Sequence, residues 1–251
     1  MKKIILYYSL VSFLLSCKKS DINPVKNTTN VNDTIQTSIA KYGGGITDID
    51  GNNYRTVIIG KQEWMCENLK VSKYNDGKIV PNVNGDSNWK NLNSGAWCNL
   101  KNSDSLGKIY GKLYNWYAVD TKKLCPSGWH VPTYDEWLVL AKTLDINFNV
   151  EDNSSDTIVA KALKVTGTKY WESPNTATNS SLFTALPAGY FKSLNISEYS
   201  DGFIDNHANW WTTFNSNGFI VFFGIDYDTF CMKSEEDIHK TDGKSVRCIK
   251  D

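Results

Sequence analysis

Cysteine, histidine and paired carboxylates are the side chains in this 251-residue chain that could carry covalent, acid–base or metal chemistry. Its six cysteines are Cys17, Cys66, Cys98, Cys125, Cys231 and Cys248, and none falls in a Cys-x-x-Cys spacing. The three histidines, His130, His207 and His239, sit in unrelated contexts, with no His-Glu-x-x-His. There is no Gly-x-Ser-x-Gly nucleophile turn and no phosphate-binding glycine loop. Glu235 and Glu236 are adjacent in a polar stretch, a spacing that suits solvation better than paired acid–base work. His130, between Trp129 and Val131, is expected to be structural, and His207 and His239 to be surface residues. These patterns lead to the expectation of a non-catalytic protein with no cofactor and no metal centre.

Charge removes another class. The chain has 27 Lys+Arg against 27 Asp+Glu and no basic run, so nucleic-acid binding lacks its electrostatic basis. At 41% hydrophobic and 22% charged the composition is ordinary, but 13% is aromatic, with nine Trp, thirteen Tyr and ten Phe. That surplus fits an aromatic-lined, β-rich module.

The amino end reads as an address. Met1-Lys2-Lys3 is a basic head, and the twelve-residue apolar run Ile4 to Leu15 is shorter than the roughly 20 residues needed to span a bilayer. Leu14-Leu15-Ser16-Cys17 resembles the lipobox of bacterial lipoproteins. The resemblance implies that residues 1–16 are a signal peptide, that Cys17 is lipidated, and that acyl chains hold the protein to a membrane. Residues 17–45 then form the anchor and a flexible tether, rich in Asn, Thr, Ser and Lys and ending in Gly43-Gly44-Gly45. Its root-mean-square reach of roughly 30 Å would lift a domain clear of the headgroups and turn its function away from the membrane. The expected location is the cell envelope, most simply the outer membrane, with the face left open. Asp33-Thr34-Ile35, Asp104-Ser105-Leu106 and Asp156-Thr157-Ile158 resemble a loose O-glycosylation acceptor pattern, though polar turns or helix caps explain them as well.

From Ile46 onward no break separates two domains and no repeat recurs, so residues 46–251 read as one domain. Thr56–Ile59 and Gln62–Met65, joined by Gly60-Lys61, predict a hairpin. Tyr74 to Gly107 reads as a long irregular stretch. Ile109, Leu113, Trp116 and Tyr117 predict an amphipathic helix over Leu106–Val119. Thr133-Tyr-Asp-Glu136 is a capping box, and Trp137, Leu140, Ala141 and Leu144 give the buried stripe of the helix it opens. A shorter helix follows Asp156. Phe183–Tyr190, Ala208–Phe214, Gly218–Ile225 and Ser245–Lys250 read as strands. Helices followed by an antiparallel sheet argue for an α+β fold.

Seven blocks then fall in order over 46–251. They are Thr47-Asp-Ile-Asp-Gly51, Trp64-Met65 with Glu67-Asn68-Leu69, Tyr74-Asn-Asp-Gly77, Tyr114-Asn-Trp-Tyr-Ala-Val119, Cys125-Pro-Ser-Gly-Trp-His-Val-Pro-Thr133, Phe183-Thr-Ala-Leu-Pro187 and Ser245-Val-Arg-Cys248. Together they resemble the Fibrobacter succinogenes major paralogous domain, found on exported proteins and lipoproteins and without an established general activity. Val131–Trp137 and Ser245–Asp251 are similar to segments of formylglycine-generating-enzyme-like domains. Both groups are linked with the C-type-lectin-like fold. That resemblance implies two or three helices on small antiparallel sheets, first and last strands that meet, and long loops exposing a variable surface.

The copper oxidase chemistry of the second group needs a closely spaced Cys pair, which Cys231 and Cys248 do not provide. Lectin-type calcium binding is disfavoured by Glu172-Ser-Pro-Asn175, one residue too long, and by Trp210-Trp-Thr where a strand acid belongs. The fold resemblance brings Trp171, Tyr190, Trp210, Trp211 and Phe222 near one another. Trp171, Trp210 and Trp211 are therefore the candidate ligand-binding aromatics, although strand alternation places one of Trp210 and Trp211 in the core. The same resemblance sets the helix start beside the closing strand and so implies a Cys125–Cys248 disulfide. Cys98 is next to pair, with Cys231 or Cys66. Cys66 stands where the family usually has Ala and is the expected odd thiol. The function expected is a membrane-anchored envelope lipoprotein whose domain binds polysaccharide or protein, with a structural role in an envelope assembly as the alternative.

Overall fold

The computed structural model describes residues 39–84, 89–149, 157–191, 193, 206–216, 219–227, 229–234 and 239–251. The expected signal segment at 1–16, Cys17, most of the expected tether and Asp33-Thr34-Ile35 lie outside the described residues. Ser38–Asp251 forms one compact unit, of mixed α+β architecture.

Its frame is a five-stranded antiparallel sheet made of β1 (Ala40–Tyr42), β4 (Thr56–Ile59), β5 (Gln62–Met65), β12 (Ile249–Lys250) and β8 (Trp129–His130), in that spatial order. The hairpin predicted at 56–65 is present, with Thr56 opposite Met65 and Ile59 opposite Gln62. Its turn runs through Gly60 at φ +60°, a conformation that costs a glycine least. The closing strand pairs with β5 through Ile249 and Trp64, so the two ends of the domain meet in one sheet. Because β1 pairs with β4, the folded domain begins ahead of the boundary expected at residue 46. Between β1 and β4, β2 (Ile46–Thr47) and β3 (Asn53–Tyr54) form a separate two-stranded hairpin.

The helix predicted over 106–119 is three elements. Helix α1 (Asp104–Tyr110) stops where Gly111 takes φ +82°; β7 (Lys112–Tyr114) pairs with β6 (Trp97–Asn99); α2 (Trp116–Asp120) restarts under an Asn115 cap. A side chain at position 111 would press within 2.7 Å of Asn68, so close approach as well as backbone angle demands glycine there. Helix α3 (Tyr134–Leu144) carries the predicted capping box, with the Thr133 hydroxyl accepting from Glu136 N and the Glu136 carboxylate accepting from Thr133 N. Helix α4 (Thr157–Leu163) follows.

The remaining sheet has β10 (Phe219–Asp226) between β9 (His207–Ser216) and β11 (Thr229–Ser234). Phe183–Tyr190 is not a strand, because Leu182 and Thr184 take positive φ and break the pleat; isolated bridges tie its neighbourhood to Lys164 and Ala208 instead. Most of Ser245–Lys250 is likewise held by single bonds, Leu69 N to Val246 O and Met65 N to Cys248 O.

The five-stranded sheet, α3, α4 and β9–β11 enclose one core, including Trp64, Trp137, Trp210, Phe223 and Phe230. Trp137 stacks on Phe223 at 5.4 Å and Phe223 on Phe230 at 5.6 Å. A second core gathers Met65, Leu69, Tyr114, Trp129, Trp211 and Val246, and a third, smaller one surrounds Trp89 and Phe191.

Candidate ligand-binding clefts

The aromatic residues singled out for binding are inside the protein. Trp171, Trp210 and Trp211 are 1%, 0% and 0% exposed, which corrects the expectation that they present faces to a ligand. Alternation along β9 does turn Trp210 and Trp211 to opposite sides, but both sides are core. Each ring instead faces a buried cation of the protein itself. Lys164 Nζ lies 4.4 Å from the Trp171 ring centre and donates to Tyr227 O; Lys244 Nζ lies 4.5 Å from both Trp211 and Phe222; the Arg247 guanidinium lies 4.1 Å from Phe183 and 5.5 Å from Trp210. Desolvated cations over aromatic faces gain roughly 2 kcal/mol each.

Arg247 is the centre of a polar hub. Its Nη2 and Nε donate to Asn68 Oδ1 at 2.9 and 3.2 Å, its Nη1 to Phe183 O, and Trp210 Nε1 donates to the same Asn68 oxygen. Asn68 Nδ2 in turn donates to Tyr110 O and Ser245 Oγ. Burial pulls the Arg247 pKa down to about 10, yet leaves it charged at neutral pH. The motifs Glu67-Asn68-Leu69, Phe183–Pro187 and Ser245–Cys248 thus converge on architecture.

Cys125 and Cys248 form the disulfide the resemblance implied, 123 residues apart in sequence. Cys66 is a free thiol, 1% exposed, and burial pushes its pKa up to about 11, so it is held as an inert core residue. Cys98 is buried, and the side chain of Cys231 lies outside the described residues. His130 is clamped at half-exposure, Nδ1 to Asp251 Oδ1 at 2.6 Å and Nε2 to Glu136 Oε1 at 2.9 Å. Its two nitrogens point to opposite partners, so the trio does not converge on a common point. His207 pairs across strands with Asp226 at 2.6 Å. Asn175 spends its amide on Val165 O and Gly167 O within its own loop. Among the described residues no group of three His, Cys, Asp or Glu is placed to hold a metal ion.

Two surface clefts flank the β2–β3 hairpin. One, about 460 Å³, is lined by Tyr42, Gly43–Gly45, Asn53–Thr56 and Glu67. Tyr42 is 54% exposed, with the Arg55 guanidinium 6.0 Å from its ring centre. Arg55 Nε donates to Glu67 Oε1 at 2.7 Å and Arg55 N to Glu67 Oε2 at 2.9 Å, so the carboxylate bridges the side chain and backbone of one residue at the cleft wall. Gly43 is needed for packing, since a Cβ there would meet Glu63 and Thr56 oxygens at 2.3 and 2.4 Å. A Cβ on Gly44 would meet nothing within 4 Å, so a side chain there would stand in open space, while the Gly44 N–H is spent on the Glu63 carboxylate. The other cleft, about 340 Å³, has apolar Val71 and Leu124 in its lining, with Thr47, Ile49, Asn75 and Ser127.

Sequence reasoning assigned Gly43–Gly45 to the tether and gave Tyr42, Asn53, Arg55 and Glu67 no binding role. No local signal marked the change of role, because three consecutive glycines read as a flexible run until distant segments pack against them.

A compact α+β module of small antiparallel sheets, tied by an internal polar hub and the Cys125–Cys248 disulfide and carrying open surface clefts, is the class of protein these features define. The chain belongs to the Fibrobacter succinogenes major domain family, whose pattern it matches over residues 57–250. No curated protein and no solved structure matches it.

Proposed function

We propose that this is an exported, lipid-anchored envelope protein whose domain is a non-catalytic binding module for polysaccharide, engaged at the Tyr42 cleft. The observation that carries the reading is the exposed Tyr42 ring beside the Arg55–Glu67 pair, above a glycine segment whose Gly44 has no atom within 4 Å of a would-be Cβ. An aromatic face suits the C–H face of a sugar, and a guanidinium with a carboxylate supplies donors and acceptors for neighbouring hydroxyls. The cleft volume falls in the range of small-ligand sites. The basic head, short apolar run and Ser16-Cys17 junction support export and lipid anchoring.

The test is a broad glycan array probed with the full chain, in calcium and in chelator, with thermal shift on each hit. Binding lost in Tyr42→Ala and in Gly44→Trp, with unchanged melting of both variants, is the expected result. Hits that survive both substitutions would remove the cleft from the site, and a blank array with folded protein would remove polysaccharide as the ligand.

A further inference from the structure

We infer that the two clefts flanking the β2–β3 hairpin are subsites of one surface that binds a chain of sugar units across the hairpin. This rests on the binding reading above and adds to it the ligand's polymeric character.

Strand β2 contributes to the wall of one cleft and β3 to that of the other. The ridge between them is one strand pair wide: Thr47, in one cleft, donates through Oγ1 to Asn53 Oδ1, in the other, at 2.7 Å. Paired strands lie about 4.8 Å apart, comparable to the repeat of one sugar unit along an extended chain. A single ring seated on Tyr42 therefore stays in its own cleft, while a longer chain reaches Thr47 and the second cleft.

The ridge is built not to move. Asp48, 7% exposed at the hairpin tip, accepts from Asp50 N, Asn52 N, Asn52 Nδ2 and Tyr54 Oη, which uses both carboxylate oxygens. Asp50 then accepts from Ser72 N and Oγ and pairs with Lys73 at 3.1 Å, which fastens the tip to the body of the domain. Neither acid is left to recruit a cation, and the hairpin stands as a preformed divider whose geometry is set before any ligand arrives. The two sides differ in chemistry: an exposed ring and an ion pair on one, a mixed lining of Ile49, Thr47 and Asn75 with the exposed Ser127 at its rim on the other. Successive units of a chain can use both, whereas a free monosaccharide gains from one.

The experiment is calorimetry of the full chain with β-1,4-linked gluco-, manno- and xylo-oligosaccharides of one to six units. Affinity is expected to rise at least about tenfold between one unit and the longest, as a second linked contact adds to the first. Ser127→Trp, which fills the second cleft at an exposed position, should abolish that rise and leave short-chain binding in place. Gly44→Trp should abolish both. Binding independent of chain length, or a rise that persists in Ser127→Trp, overturns the two-subsite inference alone. No binding at any length overturns this inference and the oligosaccharide reading together.

Discussion

Arg247 and Asn68, 179 residues apart in sequence, meet in the interior through a 2.9 Å bond from Nη2 to Oδ1. The guanidinium is 1% exposed and donates to neutral oxygens of Asn68 and Phe183 beside the faces of Phe183 and Trp210. One side-chain amide therefore carries much of the burden of solvating a buried charge.

Asn68→Ala should consequently destabilise the domain by roughly 3–5 kcal/mol, the scale seen when a buried charge loses its partner. Urea unfolding measures it. A loss below about 1 kcal/mol would show that the guanidinium finds other solvation.

The Cys125–Cys248 bridge closes a long loop and joins the segment before α3 to the closing strand. Replacing both cysteines by serine should cost about 5 kcal/mol in the loop-entropy treatment. A non-reducing peptide map should recover the 125–248 cross-link. Cys66 should alkylate only after unfolding, because its thiol is both buried and held protonated.

All nine tryptophans are buried, none more than 8% exposed. Iodide should therefore quench native tryptophan fluorescence weakly and unfolded fluorescence strongly. Trp211→Ala should lower stability by about 3–5 kcal/mol in urea unfolding. Strong native quenching would contradict the placement of these rings.

The His130 clamp gives a pH dependence with a defined sign. Burial disfavours the imidazolium, but the hydrogen bonds it donates to the Asp251 and Glu136 carboxylates, with their charges, outweigh it and raise the pKa above 6.5. A raised folded-state pKa means the added stability is fully present below the unfolded value near 6.5 and is lost as pH rises through the folded value. His130→Gln should flatten that part of the stability profile. Proton NMR should show the His130 ring titrating above 6.5; titration at or below that value would refute the clamp.

Much of the architecture was legible because local chemistry specified it. The capping box of Thr133 and Glu136 satisfies its own backbone donors whatever surrounds it, so it marks the start of α3 unaided. The β-branched run at 56–59 and its short turn define a hairpin by local geometry. Gly111 was also on view, yet helical spacing of apolar residues across it suggested one helix, since periodicity does not register a residue at positive φ pressed against Asn68.

Other features were settled by tertiary structure alone. Two adjacent tryptophans on a strand imply one inside and one outside only if the strand has one wet face; β9 has cores on both, so Trp210 and Trp211 are both interior. Strand alternation is a property of the sequence, whereas what lies beyond each face depends on elements far along the chain. The same holds for the clefts. Gly43–Gly45 by themselves are a flexible run, and they become the wall of a cleft only when β1 pairs with β4 and brings them against Arg55 and Glu67. Local backbone and capping energies can be read residue by residue, but burial and concavity arise from contacts between distant segments, and those the fold alone decides.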